Sequence, residues 1–301
     1  PGSLGNVGSG FDCLGLALSI RNRISMEIMD RPGISIEVIG EGTDCIPRDE
    51  TNFVVRAAER IFELAGRRIS GLAITLQNGI PLARGLGSSG AAAVAGMACA
   101  NALIESPFPD SELVEMASEF DGHPDNVVPS VCGGFTISMW ISKSGGKRLL
   151  YDAFPVPGNL SVVAAVPTFT LETKKARQVL PDSYPRHAVV HNLARTSWAV
   201  RCFMKGDFSY LAEALDDQIH QPFRSVLVPG FNLVKDAALK NGALAACLSG
   251  AGPTVAAFNV EANGDRIGSA MVEAFSSAGV GAGYRVLEPD NRGLEVTLEE
   301  V

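Results

Sequence analysis

None of the six cysteines (Cys13, Cys45, Cys99, Cys132, Cys202 and Cys247) belongs to a Cys-x-x-Cys pair. With only four histidines, scattered along the chain, the spacing needed for structural zinc is missing as well. The thiols are expected as buried or neutral groups in a reducing, cytoplasmic compartment. Positive charge is scarce: 25 Lys and Arg stand against 33 Asp and Glu, a formal net charge of −8. Such a surface repels phosphate backbones, which argues against nucleic acid as a partner. A polyanionic ligand would have to be held locally, by backbone amides, a metal and a few placed cations. The longest apolar run, Gly90 to Ile104, is short for a bilayer span, rich in Ala and Gly, and contains Asn101, so no membrane role is expected. The first residues lack the charged-then-apolar pattern of a secretory leader. They open on a turn-like Pro1-Gly2-Ser3 without Met, and a few further residues, forming a strand, are expected ahead of them.

What is present is ordinary globular usage. The 301 residues are 46% apolar and 19% charged, enough for one large or two medium domains with a sizeable core. Alternation predicts strands over Arg23–Met29 and Ile34–Ile39, and Pro32-Gly33 between them predicts a hairpin. Thr51 is expected to cap a helix running to Leu64. A strand over Leu72–Leu76, a helix from Ser111 and a strand over Gly133–Trp140 follow. Beyond Tyr151 the pattern changes. Strands are expected at Leu160–Val166, Ala243–Leu248, Thr254–Phe258 and Gly281–Leu287. Helices are expected at Lys174–Leu180, His187–Phe203, Phe208–Ala214, Phe231–Lys240 and Ala262–Ser277. There is no strict βαβ repeat, so the reading is two α+β lobes, 1–152 and 153–301.

The most informative segment is Pro81-Leu82-Ala83-Arg84-Gly85-Leu86-Gly87-Ser88-Ser89-Gly90-Ala91-Ala92-Ala93. It follows a strand and opens an Ala-rich helix. Glycines allow a sharp turn and close approach to a ligand, and a helix N-terminus offers unpaired N–H groups and the positive dipole end to phosphate. The two serines add hydroxyls for phosphate or Mg²⁺. Read alone, the segment is also compatible with a plain glycine turn and a serine helix cap. It has no Gly-Lys-Ser/Thr, so it is not a Walker A loop.

The Pro-x-x-x-Gly-Leu-Gly-Ser-Ser string resembles the phosphate loop of the GHMP kinases, a family that includes galactokinase and mevalonate kinase. Gly90 stands where that family usually has Ala. Leu248-Ser249-Gly250-Ala251-Gly252-Pro253-Thr254 resembles the family's third motif, and Gly5-Asn6-Val7-Gly8-Ser9-Gly10-Phe11-Asp12 its first. The three motifs occur in family order and cover most of the chain. The resemblance implies an α+β, two-lobed GHMP kinase fold, with a ribosomal-protein-S5-like N-terminal lobe and a ferredoxin-like C-terminal lobe.

Gly122-His123-Pro124-Asp125-Asn126 resembles the homoserine kinase branch, which has this string near the point where galactokinase and mevalonate kinase carry an aspartate proposed as base. The resemblance implies ATP held by Pro81, Arg84, Gly85, Leu86, Gly87, Ser88, Ser89 and Gly90, with Asn52 at adenine or ribose. It implies Mg²⁺ on Ser89 and Glu119, with Glu115 one helical turn earlier as the competitor. The acceptor, L-homoserine, carries an ammonium, a carboxylate and a hydroxyl. Asp12 and Asp125 are the residues expected for the ammonium, Arg177 and Arg224 for the carboxylate. Thr173 precedes Arg177 by one turn and can face the same site; Asn6, His123 and Gly250 complete the acceptor set. Asn126, with Ser89 and Glu119, is the catalytic group, orienting the hydroxyl. The implied reaction is phosphorylation of homoserine on the way to threonine. The alternatives kept open are another hydroxylated acceptor, such as mevalonate or shikimate, and a nucleotide-binding regulator without catalysis. A homodimer is compatible with the resemblance.

Overall fold

The computed structural model describes residues 1–143 and 146–299. The N-terminal half runs β1 (Gly2–Gly5), β2 (Leu14–Leu18), β3 (Asn22–Ile28), β4 (Gly33–Gly40), α1 (Phe53–Leu64), β5 (Gly71–Asn78), α2 (Ser88–Leu103), α3 (Asp110–Asp121), α4 (Pro124–Cys132), β6 (Phe135–Lys143) and β7 (Gly146–Phe154). The C-terminal half continues with β8 (Ser161–Pro167), α5 (Thr173–Gln178), α6 (Arg186–Lys205), α7 (Leu211–Ala214), α8 (Gln221–Arg224), α9 (Phe231–Lys240), β9 (Ala245–Leu248), β10 (Val255–Asn259), α10 (Gly264–Ser277) and β11 (Ala282–Leu287). Among the described residues no helix is long and apolar enough to cross a membrane.

Three sheets organise these elements. β1-β2-β6-β7 is antiparallel throughout. The C-terminal strands take the order β11-β8-β10-β9, the fourth-first-third-second arrangement of a ferredoxin-like unit. The third sheet corrects the expected hairpin. Its order is β3-β5-β4, with β5 antiparallel to β3 and parallel to β4, so the two predicted strands never pair. β5 takes the centre because it is the most buried of the three, with Leu72, Ile74 and Leu76 in the core, whereas β3 and β4 keep one polar, exposed face. The parallel β4–β5 pair is joined through α1, the kind of long crossover that parallel strands need.

Two further expectations change. The cap of α1 is Asn52, not Thr51: its side chain accepts from the Val54 N–H at 2.9 Å. Gly2 and Ser3 are strand rather than turn, paired with Leu18 and Ala17 of β2. The cysteines are all free, and Cys13 and Cys45 are exposed rather than buried.

The main core joins the two halves. Phe135 of β6 stacks on Phe203 of α6 with centroids 4.3 Å apart, and Phe203 meets Phe258 of β10 edge-on at 6.0 Å. All three rings are buried, and each contributes about 1.5–3 kcal/mol by leaving water. β7 extends the N-terminal sheet to Phe154, and the chain after β11 returns to that sheet: the Asp290 N–H donates to Ala17 O at 2.9 Å, and Asp290 pairs with Arg21. The halves are therefore held against one another, and a cleft lies across their junction.

Candidate active site

The cleft has a volume of about 370 Å³ and is lined from both halves. One end is made of backbone. The loop after β5 turns through Gly85 and Gly87, with φ of 78° and 70°, a left-handed conformation that costs most residues about 1–2 kcal/mol. At Gly85 a Cβ would also strike the Ser249 carbonyl of the third motif. Ser249 Oγ in turn donates to Gly85 O at 2.6 Å. The loop delivers Gly87 as the N-cap of α2, so the N–H groups of Ser88, Ser89 and Gly90 open the helix without intrahelical partners. Gly85, Gly87, Ser88 and Ser89 line the cleft. Pro81, Leu86 and Gly90 do not: they are buried behind it and give the loop its shape. Arg84, expected among the ATP-binding residues, lines the cleft, and its guanidinium donates to three carbonyls: Pro167 and Thr168, each at 2.8 Å, and Leu82 at 3.1 Å. It fastens the loop to the end of β8. Asn52 lines the cleft, but its amide donates to Pro47 O at 2.7 Å while capping α1.

The first motif is strained and tied down. Asn6, Val7 and Asp12 have φ of 68°, 41° and 56°, at roughly 1–3 kcal/mol each. Asn6 holds the turn: Oδ1 accepts from the Asp12 N–H at 3.0 Å and Nδ2 donates to Gly250 O at 2.9 Å. The Gly250 N–H donates to Gly5 O at 3.1 Å. The first and third motifs are thereby one structure.

The other end is charged. Asp12 and Arg177 form a two-pronged fork at 2.9 and 2.8 Å, both half-buried. Arg224 is 2% exposed; Nε donates to Ala176 O at 3.1 Å and Nη1 to Gly250 O at 3.2 Å. Phe11 lies against both guanidiniums, at 5.7 Å from Arg177 and 5.1 Å from Arg224. Its other contact is a stacked His220 at 5.3 Å, whose Nε2 donates to Gly8 O at 2.7 Å. Thr173 opens α5 and lines the cleft with Arg177. Asp125 stands in the first turn of α4, 2% exposed, with Oδ2 accepting from the Asn6 N–H at 3.1 Å and Oδ1 without a partner. Burial, reinforced by the Asp12 charge, pushes its carboxyl up to about 7. Next to it, Asn126 Oδ1 accepts from Ser3 Oγ at 3.0 Å.

The expected acidic metal ligand is corrected. Glu119 is exposed and absent from the cleft wall, and Glu115 faces β7, accepting from the Leu149 N–H at 3.4 Å. The residue of α3 that reaches the cleft is Asp121, at the helix C-terminus. Its side chain is 3% exposed and pairs with His123 Nδ1 at 3.3 Å. That hydrogen bond raises the His123 pKa above its ordinary value. Among the described residues no cluster of three His, Cys, Asp or Glu could bind a metal unaided. Phe11, His220 and Asp121 also escaped the sequence reading. Phe11 and Asp121 each adjoin a motif residue, which was the available signal; His220 had none beyond its place in His220-Gln221-Pro222-Phe223-Arg224.

Known proteins resemble this chain in sequence and fold. The family model for the GHMP kinases N terminal domain matches residues 52–134, and that for GHMP kinases C terminal matches 199–277. The chain is 41% identical to a homoserine kinase of Carboxydothermus hydrogenoformans over 97% of its own length and 94% of the relative's. It is 38% identical to one of Moorella thermoacetica over 98% of both chains. A crystal structure of homoserine kinase from Cytophaga hutchinsonii superposes with a TM-score of 0.86 at 32% identity, covering 97% of this chain and 94% of that one. With similarity running through all three motifs and both halves, the chain belongs to the homoserine kinase family of the GHMP kinases.

Proposed function

We propose that the chain transfers the γ-phosphoryl group of ATP to the side-chain hydroxyl of L-homoserine, giving O-phospho-L-homoserine on the way to threonine. The observation that carries this reading is the charge pattern of one cleft. A helix N-terminus stands at one end, and two carboxylates, Asp12 and Asp125, stand with two guanidiniums, Arg177 and Arg224, at the other. An amino acid zwitterion needs both signs; mevalonate and shikimate carry no ammonium. The unpartnered Asp125 Oδ1 is the natural partner for that ammonium, and Arg224 with Arg177 for the carboxylate.

Phosphoryl transfer asks for alignment and charge neutralisation more than for covalent help from the protein. The open N–H groups of Ser88 and Ser89 would hold phosphate oxygens. Asp121 and the Ser89 hydroxyl, both on the cleft wall, fit Mg²⁺, which takes one or two protein oxygens and completes its shell with phosphates and water. Bound there, the ion would neutralise charge between phosphate oxygens. Asn126 would orient the homoserine hydroxyl. As its oxygen bonds to the γ-phosphorus, the bond to the β,γ-bridging oxygen breaks and ADP leaves. The hydroxyl proton passes to a phosphoryl oxygen, consistent with a loose transition state. Ile46, Pro47 and Phe53 are the apolar wall available to the adenine.

The test is a panel of hydroxyl acceptors, homoserine, serine, mevalonate and shikimate, with Mg²⁺-ATP and the product identified by mass. Phosphohomoserine as the dominant product is expected. A preference for mevalonate or shikimate, or ATP binding without turnover, overturns the reading.

A further inference from the structure

Asn126 sits in a box with little freedom. A Cβ on Gly5 would fall 2.8 Å from Asn126 Nδ2, and one on Gly90 3.3 Å from its Cβ. The wall supplied by β1 is Ser3, fully buried and paired through its backbone with β2. Ser3 Oγ donates to Asn126 Oδ1 at 3.0 Å, across 123 residues of sequence. The Ser3 N–H donates to Leu86 O at 3.0 Å, inside the phosphate loop. A Cβ on Gly87 would collide with the same Ser3 hydroxyl. One small residue therefore touches both the amide that faces the acceptor and the loop that faces the phosphates.

We propose that Ser3 is a positioning residue for phosphoryl transfer: it holds the Asn126 side chain through its amide and ties that side chain to the phosphate loop. The bond fixes where the Asn126 amide sits, since a serine hydroxyl can pair with either end of an amide. Asn126, a neutral amide, then orients the reacting oxygens and takes no proton from the acceptor. This inference rests on the function proposed above.

The experiment is a double-mutant cycle on the intact chain, reading kcat and both KM values with ATP and homoserine. Ser3→Ala frees the amide to shift, and kcat should fall about 10- to 100-fold, the scale of a small misplacement at a reacting centre. Neither KM should move, because no ligand contact is lost. In an Asn126→Ala background the same substitution should cost nothing further, since Ser3 acts only through that amide. Ser3→Thr keeps the hydroxyl and should regain most of the turnover. A Ser3→Ala loss that multiplies in the double variant, that appears in the ATP KM, or that Ser3→Thr shares overturns the inference. If melting curves show Ser3→Ala unfolded, Ser3→Cys, of similar size but a weak donor, takes its place in the cycle. Absence of homoserine turnover in the parent chain sinks the proposed function and the inference with it; a failed cycle on an active parent sinks the inference alone.

Discussion

The two ends of the cleft are built on different principles. The end proposed for phosphate is one continuous string, Gly85 to Ser89, and would work through main-chain N–H groups whose geometry follows from two left-handed glycines and a helix start. The end proposed for the acceptor is assembled from side chains on four separate segments: Asp12 after β1, Asp125 in α4, Arg177 in α5 and Arg224 in α8. Backbone recognition tolerates changes of side chain but not of shape. Side-chain recognition tolerates backbone drift but not loss of a charge. Substitutions at the two ends should therefore fail in different ways.

The largest effect is expected at the acceptor end. Arg224→Ala removes the buried member of the proposed pair with the homoserine carboxylate, which costs about 2–5 kcal/mol, or roughly 30- to several-thousand-fold in affinity. The homoserine KM should rise accordingly while the ATP KM stays put. Arg177→Ala should do less, because that side chain is 37% exposed and already paired with Asp12. An acceptor without the carboxylate, such as 3-aminopropanol, should be a poor substrate and nearly indifferent to both changes. Equal loss of ATP affinity in the Arg224 variant would erase the division between the two ends.

Asp121→Asn tests the proposed Mg²⁺ ligand. Losing one charged contact costs about 1.5–3 kcal/mol, so apparent Mg²⁺ affinity should drop tenfold or more, with rescue by excess metal. Glu119→Gln and Glu115→Gln should leave it unchanged; a reversed result would return the metal to the exposed face of α3.

pH sharpens the contrast further. An aspartate in an unfolded chain titrates near 3.9, whereas burial lifts folded Asp125 to about 7. The folded state therefore binds the extra proton between these values. Its contribution to stability is complete below about pH 4 and is lost as pH rises through about 7, a few kcal/mol in all. Asp125→Asn should melt higher than the parent at pH 8 and show a flatter stability profile. A bound ammonium favours the ionised carboxyl, so homoserine affinity should weaken up to about tenfold per pH unit below 7. ATP affinity should lack that dependence. A pH-independent homoserine KM would mean that Asp125 does not face the ammonium.

The smallest effect concerns Asn52, on the nucleotide side. As a cap it contributes about 1 kcal/mol, so Asn52→Ala should lower the melting temperature by a few degrees. A rise in ATP KM without that loss would make it a nucleotide contact instead.

The phosphate loop was legible because a local string sets local dihedral angles and a helix start. The charged residues were legible only through motifs that flank them, and their partners were not. Glu119 and Asp121 are two positions apart on one helix, yet one faces solvent and the other the cleft. Helical periodicity gives their angular separation and says nothing about which side meets α4. The missed strand order has the same origin: alternation marks β3 and β4 as half-buried, but the competing, more apolar β5 lies downstream and takes the place between them.

By itself the sequence determined the α+β class, the turn-and-helix phosphate loop and the residue types available to an amino acid acceptor, because each depends on propensity, periodicity or a contiguous motif. The tertiary structure alone decided that Arg84 is a loop fastener, that Asp12 and Arg177 pair with one another, and that Asp121 rather than Glu119 lies at the cleft. It also decided that Ser3 meets Asn126. The three bonds among these outcomes bring groups within about 3 Å across more than 80 residues of chain, a distance set by tertiary packing and by no local rule of sequence.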